Sequence, residues 1–453
     1  MDTQTRPKEN IMGTMPVGRL LMTISLPMML SMLIQSLYNV VDSYFVAKIS
    51  ENALSAVSLA FPMQSLMIAF ATGTGVGMNA LLSRKLGERN QRAVNDAAGN
   101  GVFLAFISSL LFVLFGIFFA GRFMLSQTDV AEIVDGGTIY LQICTICSTG
   151  VFMSITFARL LQSTGRTLLS MIGQIVGALT NIILDPLLIF GYGIFPELGV
   201  AGAAAATVAG QFVGAGTDIL LNHYKNPEIQ LKLKRLRPKW AVIKEIYVVG
   251  IPAIINNAIM AVMTYCMNRI LITFSTAATA VLGVYFKLNS FIIMPVIGLN
   301  NGLIPIIAYN FGARKRERIV HVIRLAMIWA VSYMALGLLV FQLWPRELLT
   351  PFIEIPETME MGVFALRRVS LGFLSGGVSF VMCSAFQALR KAQYSLVVQV
   401  LRQLVLILPA AYLLALTGDV NNVWWAFPIA DYLSLFVCVG LYMKLLRGHI
   451  SKI

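Results

Sequence analysis

Residues 101–120 read Gly-Val-Phe-Leu-Ala-Phe-Ile-Ser-Ser-Leu-Leu-Phe-Val-Leu-Phe-Gly-Ile-Phe-Phe-Ala, an unbroken stretch without a charged side chain. At about 1.5 Å of rise per residue, such a segment covers roughly 30 Å as a helix, the thickness of a bilayer's hydrocarbon core. It belongs to an apolar run at 93–120. Eleven comparable runs flank it, at roughly 18–46, 53–82, 133–162, 168–192, 199–223, 244–274, 278–310, 318–344, 359–388, 395–416 and 423–446. The chain therefore reads as an all-α polytopic membrane protein with twelve crossings. Composition agrees. Of 453 residues, 57% are hydrophobic and only 12% charged, which excludes a single soluble core.

The net charge of +13 would suit nucleic acid, but its distribution argues otherwise. Connectors after even-numbered runs hold Arg84, Lys85, Arg89 and Arg92; Arg166; Lys225, Lys232, Lys234, Arg235, Arg237, Lys239 and Lys244; Arg314, Lys315, Arg316 and Arg318; and Arg390 and Lys391. Connectors after odd-numbered runs are poor in base, and two carry Asp129, Glu132 and Asp135, or Glu354, Glu357 and Glu360. The positive-inside rule then places both termini and the basic connectors in the cytoplasm. The basicity is topology, and no nucleic-acid partner is expected.

The longest and most basic connector, 224–243, separates an N-lobe at 1–223 from a C-lobe at 244–453, each with six crossings. The halves are related. Aligning Leu86-Gly87-Glu88-Arg89 with Phe311-Gly312-Ala313-Arg314 gives an offset of 225 residues. The same offset superposes Leu26-Pro27 on Ile251-Pro252, Gln64-Ser65 on Asn289-Ser290, Gln162 on Gln387, Arg166 on Lys391, Ser170 on Ser395 and Gln174 on Gln399. Six crossings return each half to the side it started from, so this is a parallel repeat about an axis along the membrane normal. Two such lobes around a central cleft form an alternating-access carrier.

The stretch Tyr38-Asn39-Val40-Val41-Asp42-Ser43-Tyr44-Phe45-Val46 leads through a short loop to Ala53-Leu54-Ser55-Ala56-Val57-Ser58-Leu59-Ala60-Phe61-Pro62. With Asn181-Ile182-Ile183-Leu184-Asp185-Pro186 and Asn310-Phe311-Gly312-Ala313-Arg314, it resembles the multidrug and toxic compound extrusion (MATE) family over essentially all twelve helices. The resemblance implies a secondary antiporter of the bacterial cytoplasmic membrane, monomeric and without a cofactor. It would export small amphipathic, commonly cationic compounds against inward movement of Na+ or H+. The likeness is to bacterial branches with an acidic N-lobe site. Branches with a glutamate in helix 7 and an aspartate in helix 10 are not matched, because helix 7 here offers Asn256, Asn257 and Asn268 and helix 10 offers Arg367 and Arg368.

Acids inside a membrane cost about 3 kcal/mol or more and ask for a reason. Asp42 lies toward the outer end of helix 1. Asp185 lies inside helix 5 beside Pro186, and Asn181, four residues earlier, shares its face. Family likeness gathers Asp42, Asn181, Asp185 and Thr207 of helix 6 around one cavity. Asp42, Asp185 and Asn181 could then coordinate Na+, a hard cation, or the two carboxyls could share a proton. The bland alternative is that Asp42 snorkels to the interface and Asp185 makes structural hydrogen bonds. Cleft or gate positions are Gln35, Tyr38, Phe61, Phe286, Lys287 and Asp431. For Asp431, a structural salt-bridge cluster with Lys287, Arg269, Arg367 or Arg368 competes with a role as a charged gate with Lys287.

Other motifs carry less. Gly73-Thr74-Gly75-Val76-Gly77 sits within an apolar run, where close helix packing explains it better than a phosphate loop. Cys144, Cys147, Cys266, Cys383 and Cys438 all fall in apolar runs, and His223, His321 and His449 are widely spaced, so neither a disulfide framework nor a metal cluster is indicated. The chain has no GxxxxGK[ST], HExxH or GxSxG, which removes an ATP-driven pump and the usual intramembrane hydrolases. No enzymatic activity is expected. The remaining rival is a flippase or exporter of an anionic or lipid-linked substrate, which the C-lobe basic residues would suit.

Overall fold

A computed structural model describes residues 9–193, 195–231 and 237–450. Eleven helices in it are long and apolar enough to cross a membrane, and a bent pair completes a twelfth crossing. They are α1 (Val17–Ala47), α2 (Glu51–Gly87), α3 (Gln91–Phe118), α4 (Ala131–Ile146 and Thr149–Ser163), α5 (Thr167–Phe190), α6 (Val200–Lys225), α7 (Trp240–Leu271), α8 (Thr276–Gly312), α9 (Arg316–Leu343), α10 (Pro356–Ala388), α11 (Ala392–Ala415) and α12 (Ala426–Leu445). Lys232, Lys234 and Arg235 of the long connector lie outside the described residues.

The apolar run at 133–162, read as one helix, is bent by 45°. Hydroxyls cause the break. Thr145 Oγ1 donates to Leu141 O at 2.6 Å, and Ser148 Oγ leaves its own helix to donate to Ser109 O at 3.1 Å. Side-chain oxygens thereby compete with the helical ladder. At the repeat-related place in α10, Ser370–Gly372 tightens into a 3-10 turn.

The repeat is legible in three dimensions. The turns after α2 and α8 each hold one arginine in left-handed backbone, Arg89 and Arg314, both at φ 56°. Those after α4 and α10 do the same with Gly165 (φ 83°) and Arg390 (φ 62°). Each pair is separated by the offset of 225. Left-handed backbone costs an L side chain about 1 to 2 kcal/mol. Arg314→Gly should therefore raise stability by up to about 1 kcal/mol, after allowing for the glycine's greater freedom when unfolded. Thermal unfolding in detergent checks this, and a fall in the midpoint would mean that the guanidinium contributes more than the backbone strain costs.

The lobes meet through paired glycines at the face carrying the basic connectors, here the basic face. A Cβ at Gly87 would overlap the Tyr309 carbonyl, and one at Gly312 would overlap that of Arg84. These two contacts exchange under the repeat, as a two-fold axis requires. A second set follows the same symmetry: Gly73 and Gly77 of α2 press on Ile246, Gly250 and Ile254 of α7, and Gly298 and Gly302 of α8 press on Ser25 and Met29 of α1. The glycines of the Gly73–Gly77 cluster thus serve packing. Gly75 makes room for Arg159, whose Nη1 donates to Asn301 Oδ1 of the other lobe at 3.1 Å.

Residues 9–15 tie this seam from the basic side. Asn10 Nδ2 donates to Thr164 O at 2.9 Å in the N-lobe, while Asn310 Nδ2 and Arg318 Nη2 of the C-lobe donate to the carbonyls of Met12 (3.0 Å) and Met15 (2.6 Å). Lys315 donates to Glu9 and holds its carboxyl below the usual carboxylate range. Because the glycine contacts are backbone on backbone, Gly312→Val should prevent the basic side from closing. Ser25→Cys, introduced into a variant free of other cysteines, should then become labelled from the basic face only when Gly312→Val is present. Equal protection in both would show that α2 and α8 can shift aside.

Candidate ion and substrate site

The two intramembrane acids of the N-lobe meet on neighbouring helices. In α1, Tyr38 and Asp42 are one turn apart. In α5, Asn181 and Asp185 repeat that spacing, and Pro186 follows at a position that removes a ladder bond. Asp185 is fully buried, Asn181 and Thr207 nearly so, and Asp42 half-buried.

Asn181 Nδ2 lies 3.4 Å from Asp185 Oδ1 and 3.3 Å from Thr207 Oγ1 of α6. The Asp42 and Asp185 carboxyls face each other within hydrogen-bonding reach. The Tyr38 hydroxyl reaches Thr207 beside both acids. All four residues named for ion coupling are therefore gathered in one cluster, including Thr207 from a separate helix. Its wall contains three residues that sequence reading did not assign to the site: Gln64 of α2 donates to the Tyr140 hydroxyl of α4 at 3.3 Å and to Cys144 Sγ at 3.4 Å. Gln64 had a visible signal, because its amide sits in an apolar run and pairs with Asn289 in the repeat.

The cluster is short of donors. Asp42 Oδ1, Asp185 Oδ2 and Asn181 Oδ1 are buried without a hydrogen-bond partner. Buried acceptors ordinarily have partners. Several unpartnered oxygens converging beside a hydroxyl form the environment that a hard cation, or a proton held between two carboxyls, satisfies. Among the described residues, no three histidine, cysteine, aspartate or glutamate side chains come together as a metal site.

The cleft and gate candidates are more dispersed. Gln35 and Phe61 are exposed, Phe61 to 62%. Phe286 is half-buried, its ring 5.4 Å from that of Tyr285. Lys287 is exposed, and its ammonium lies 6.0 Å from the Phe352 ring in the loop between α9 and α10. Asp431 is not paired with Lys287. It is buried in α12, where Arg402 of α11 donates to its carboxylate, with Tyr285 alongside.

The expected cluster with Arg269, Arg367 and Arg368 is likewise corrected. Arg368 stacks between Phe364 and Trp425, at 4.5 and 4.7 Å. Arg402 was the missed partner, although a lone arginine inside the apolar run 395–416 was visible in sequence. It lies in a π-helical stretch, Leu401–Ile407, just before Pro409. Widening the helix there relieves the clash between the proline ring and the carbonyl four residues back.

The MatE family profile matches residues 27–187 and 252–413, one copy in each half. The chain belongs to the MatE family. It is 26% identical over 442 residues to the multidrug export protein MepA of Staphylococcus haemolyticus, covering 96% of each chain. It is also 26% identical over 437 residues to the FAD transporter of Shewanella oneidensis, covering 95% of each. In fold this MatE chain resembles the outward-facing conformation of a multidrug resistance MATE family transporter, with a TM-score of 0.92, 21% identity and coverage of 98% and 99% of the two chains. Members of the MatE family are transporters rather than enzymes, and the duplicated profile agrees with the two-lobe architecture.

Proposed function

We propose that this MatE chain is a multidrug efflux antiporter of the bacterial cytoplasmic membrane, exporting amphipathic, commonly cationic compounds in exchange for Na+ or H+. The observation that carries the reading is the Asp42–Asp185 pair in the N-lobe, buried with unpartnered oxygens beside Asn181 and Thr207. An ion bound there cancels charge on entering and restores it on leaving. The site thereby gains two states for the lobes to read. The relatives named for multidrug export support the substrate class.

With the basic face taken as cytoplasmic, both termini and the 224–243 connector lie inside. The lobes at 1–223 and 244–453 are then sealed toward the cytoplasm by their glycine pairs, and the acids stand on the outward side of that seal. Transport in proteoliposomes with Na+ and H+ gradients imposed separately, using cationic, zwitterionic and anionic dyes, tests the reading. Dye movement indifferent to both gradients would sink it. A second reading, export of an anionic compound, draws on the FAD transporter among the relatives and on exposed Lys287 in the C-lobe. The anionic dye decides between the two.

A further inference from the structure

From the Asn181–Asp185–Thr207 cluster, α5 and α6 run side by side toward the basic face with their backbones touching. A Cβ at Gly177 would lie 2.8 Å from the Gly210 carbonyl oxygen, and one at Gly214 3.3 Å from that of Gly173. At the far end of this seam sits Asp218, fully buried and pressed against Gly173. Neither of its carboxyl oxygens has a hydrogen-bond donor. Asn222, one turn on, donates to the backbone carbonyls of Phe157 and Asp218, both at 2.9 Å, rather than to the carboxyl.

Among the described residues, no side chain hydrogen-bonds or ion-pairs with the Asp218 carboxyl. The buried cation of the neighbouring α4, Arg159, is spent on Gln162 at 2.9 Å and on Asn301. The other titratable groups on the helices packed around it, Asp185 of α5, Arg19 and Asp42 of α1, and His223 and Lys225 of α6 itself, make no hydrogen bond to the Asp218 carboxyl either. An ionised carboxylate without donors in a low dielectric costs several kcal/mol, and such a group takes up a proton instead. A metal cation would need several ligands around it, and among the described residues no group of three or more histidine, cysteine, aspartate or glutamate side chains comes together there.

We propose that Asp218 is a second proton-binding site of the N-lobe, loaded while the basic side is sealed and discharged when it opens. The position suits an exit. Eleven residues separate Asp218 from Thr207, about 16 Å along α6, and seven separate it from Lys225 at the helix end, about 10 Å. Gln211, one turn beyond Thr207, places another unpartnered oxygen, Oε1, along the same helix. When the lobes part, the carboxyl O–H bond breaks, the proton passes to water at the basic face, and a carboxylate remains in contact with solvent. This rests on the antiport reading and adds to it a proton acceptor away from Asp42 and Asp185.

Infrared spectroscopy of the full chain in lipid nanodiscs tests the site directly. At neutral pH the wild type should show a protonated carboxylic C=O band that Asp218→Asn removes and that Asp185→Asn and Asp42→Asn keep. In proteoliposomes, Asp218→Asn should lose most H+-driven export while still binding dye, and Asp218→Glu should restore it. If Asp218→Asn does not insert, Asp218→Glu should shift the band. A spectrum unchanged by every substitution at Asp218, or normal H+-driven export by Asp218→Asn, overturns the proposal. Failure of the wild type to couple export to any gradient would instead overturn the antiport reading and leave the infrared assignment standing.

Discussion

Asp185→Asn is expected to reduce gradient-driven dye transport to the level of protein-free liposomes while leaving the protein inserted and folded. The amide has nearly the shape of the carboxyl it replaces, and Asn181 and Thr207 retain each other as partners. What disappears is the charge. An amide does not take up and release a proton at physiological pH, and it binds Na+ more weakly than a carboxylate. Because Asp185 is fully buried, the charge it carries is felt in a low-dielectric interior rather than screened by water. Asp42→Asn should behave the same way or nearly so, since the two carboxyls face each other. Transport by both variants, at matched expression and with both gradients tested, decides the matter. Full coupled transport by Asp185→Asn would make the carboxylate a structural hydrogen-bonding group and move ion coupling elsewhere.

The second large effect concerns stability and lies in the other lobe. Asp431→Asn leaves half-buried Arg402 beside Tyr285 with no counter-charge; breaking a fully buried pair costs about 3 to 5 kcal/mol, and the guanidinium's partial exposure puts this loss toward or below the lower figure. Arg402→Met does the same in the opposite sense. Replacing both partners with apolar residues, Arg402→Met with Asp431→Leu, should recover most of the loss, since no charge is then stranded. Thermal unfolding of the two single variants and the double variant measures the coupling. Simple additivity of the two losses would show that the pair is not energetically linked.

The same double variant separates the lobes functionally. The repeat places Met267 opposite Asp42 and Ala410 opposite Asp185, so the C-lobe has no acid at either equivalent position. Ion dependence of transport should therefore survive loss of the Arg402–Asp431 pair. If it vanished there while Asp42→Asn and Asp185→Asn retained it, coupling would belong to the C-lobe.

Much of this protein was legible along the chain because the decisive signals are one-dimensional. Apolar length counts the crossings and the alternation of basic connectors proposes their orientation. A constant offset reveals the duplication, down to the turns at Arg89 and Arg314 and the glycines at 87 and 312. Helical spacing also placed Asn181 with Asp185, since positions four apart share a face whatever surrounds them.

Tertiary structure alone decided how one helix is rotated against another. That rotation set Asp42 of α1 facing Asp185 of α5. It gave Asp431 to Arg402 rather than to Lys287, and it left Asp218 without a donor. The physical reason is the solvent. In a bilayer every face of a helix is comfortable against lipid, so hydropathy no longer marks the face that turns inward. Close backbone approach at small residues and the satisfaction of a few polar groups choose it instead.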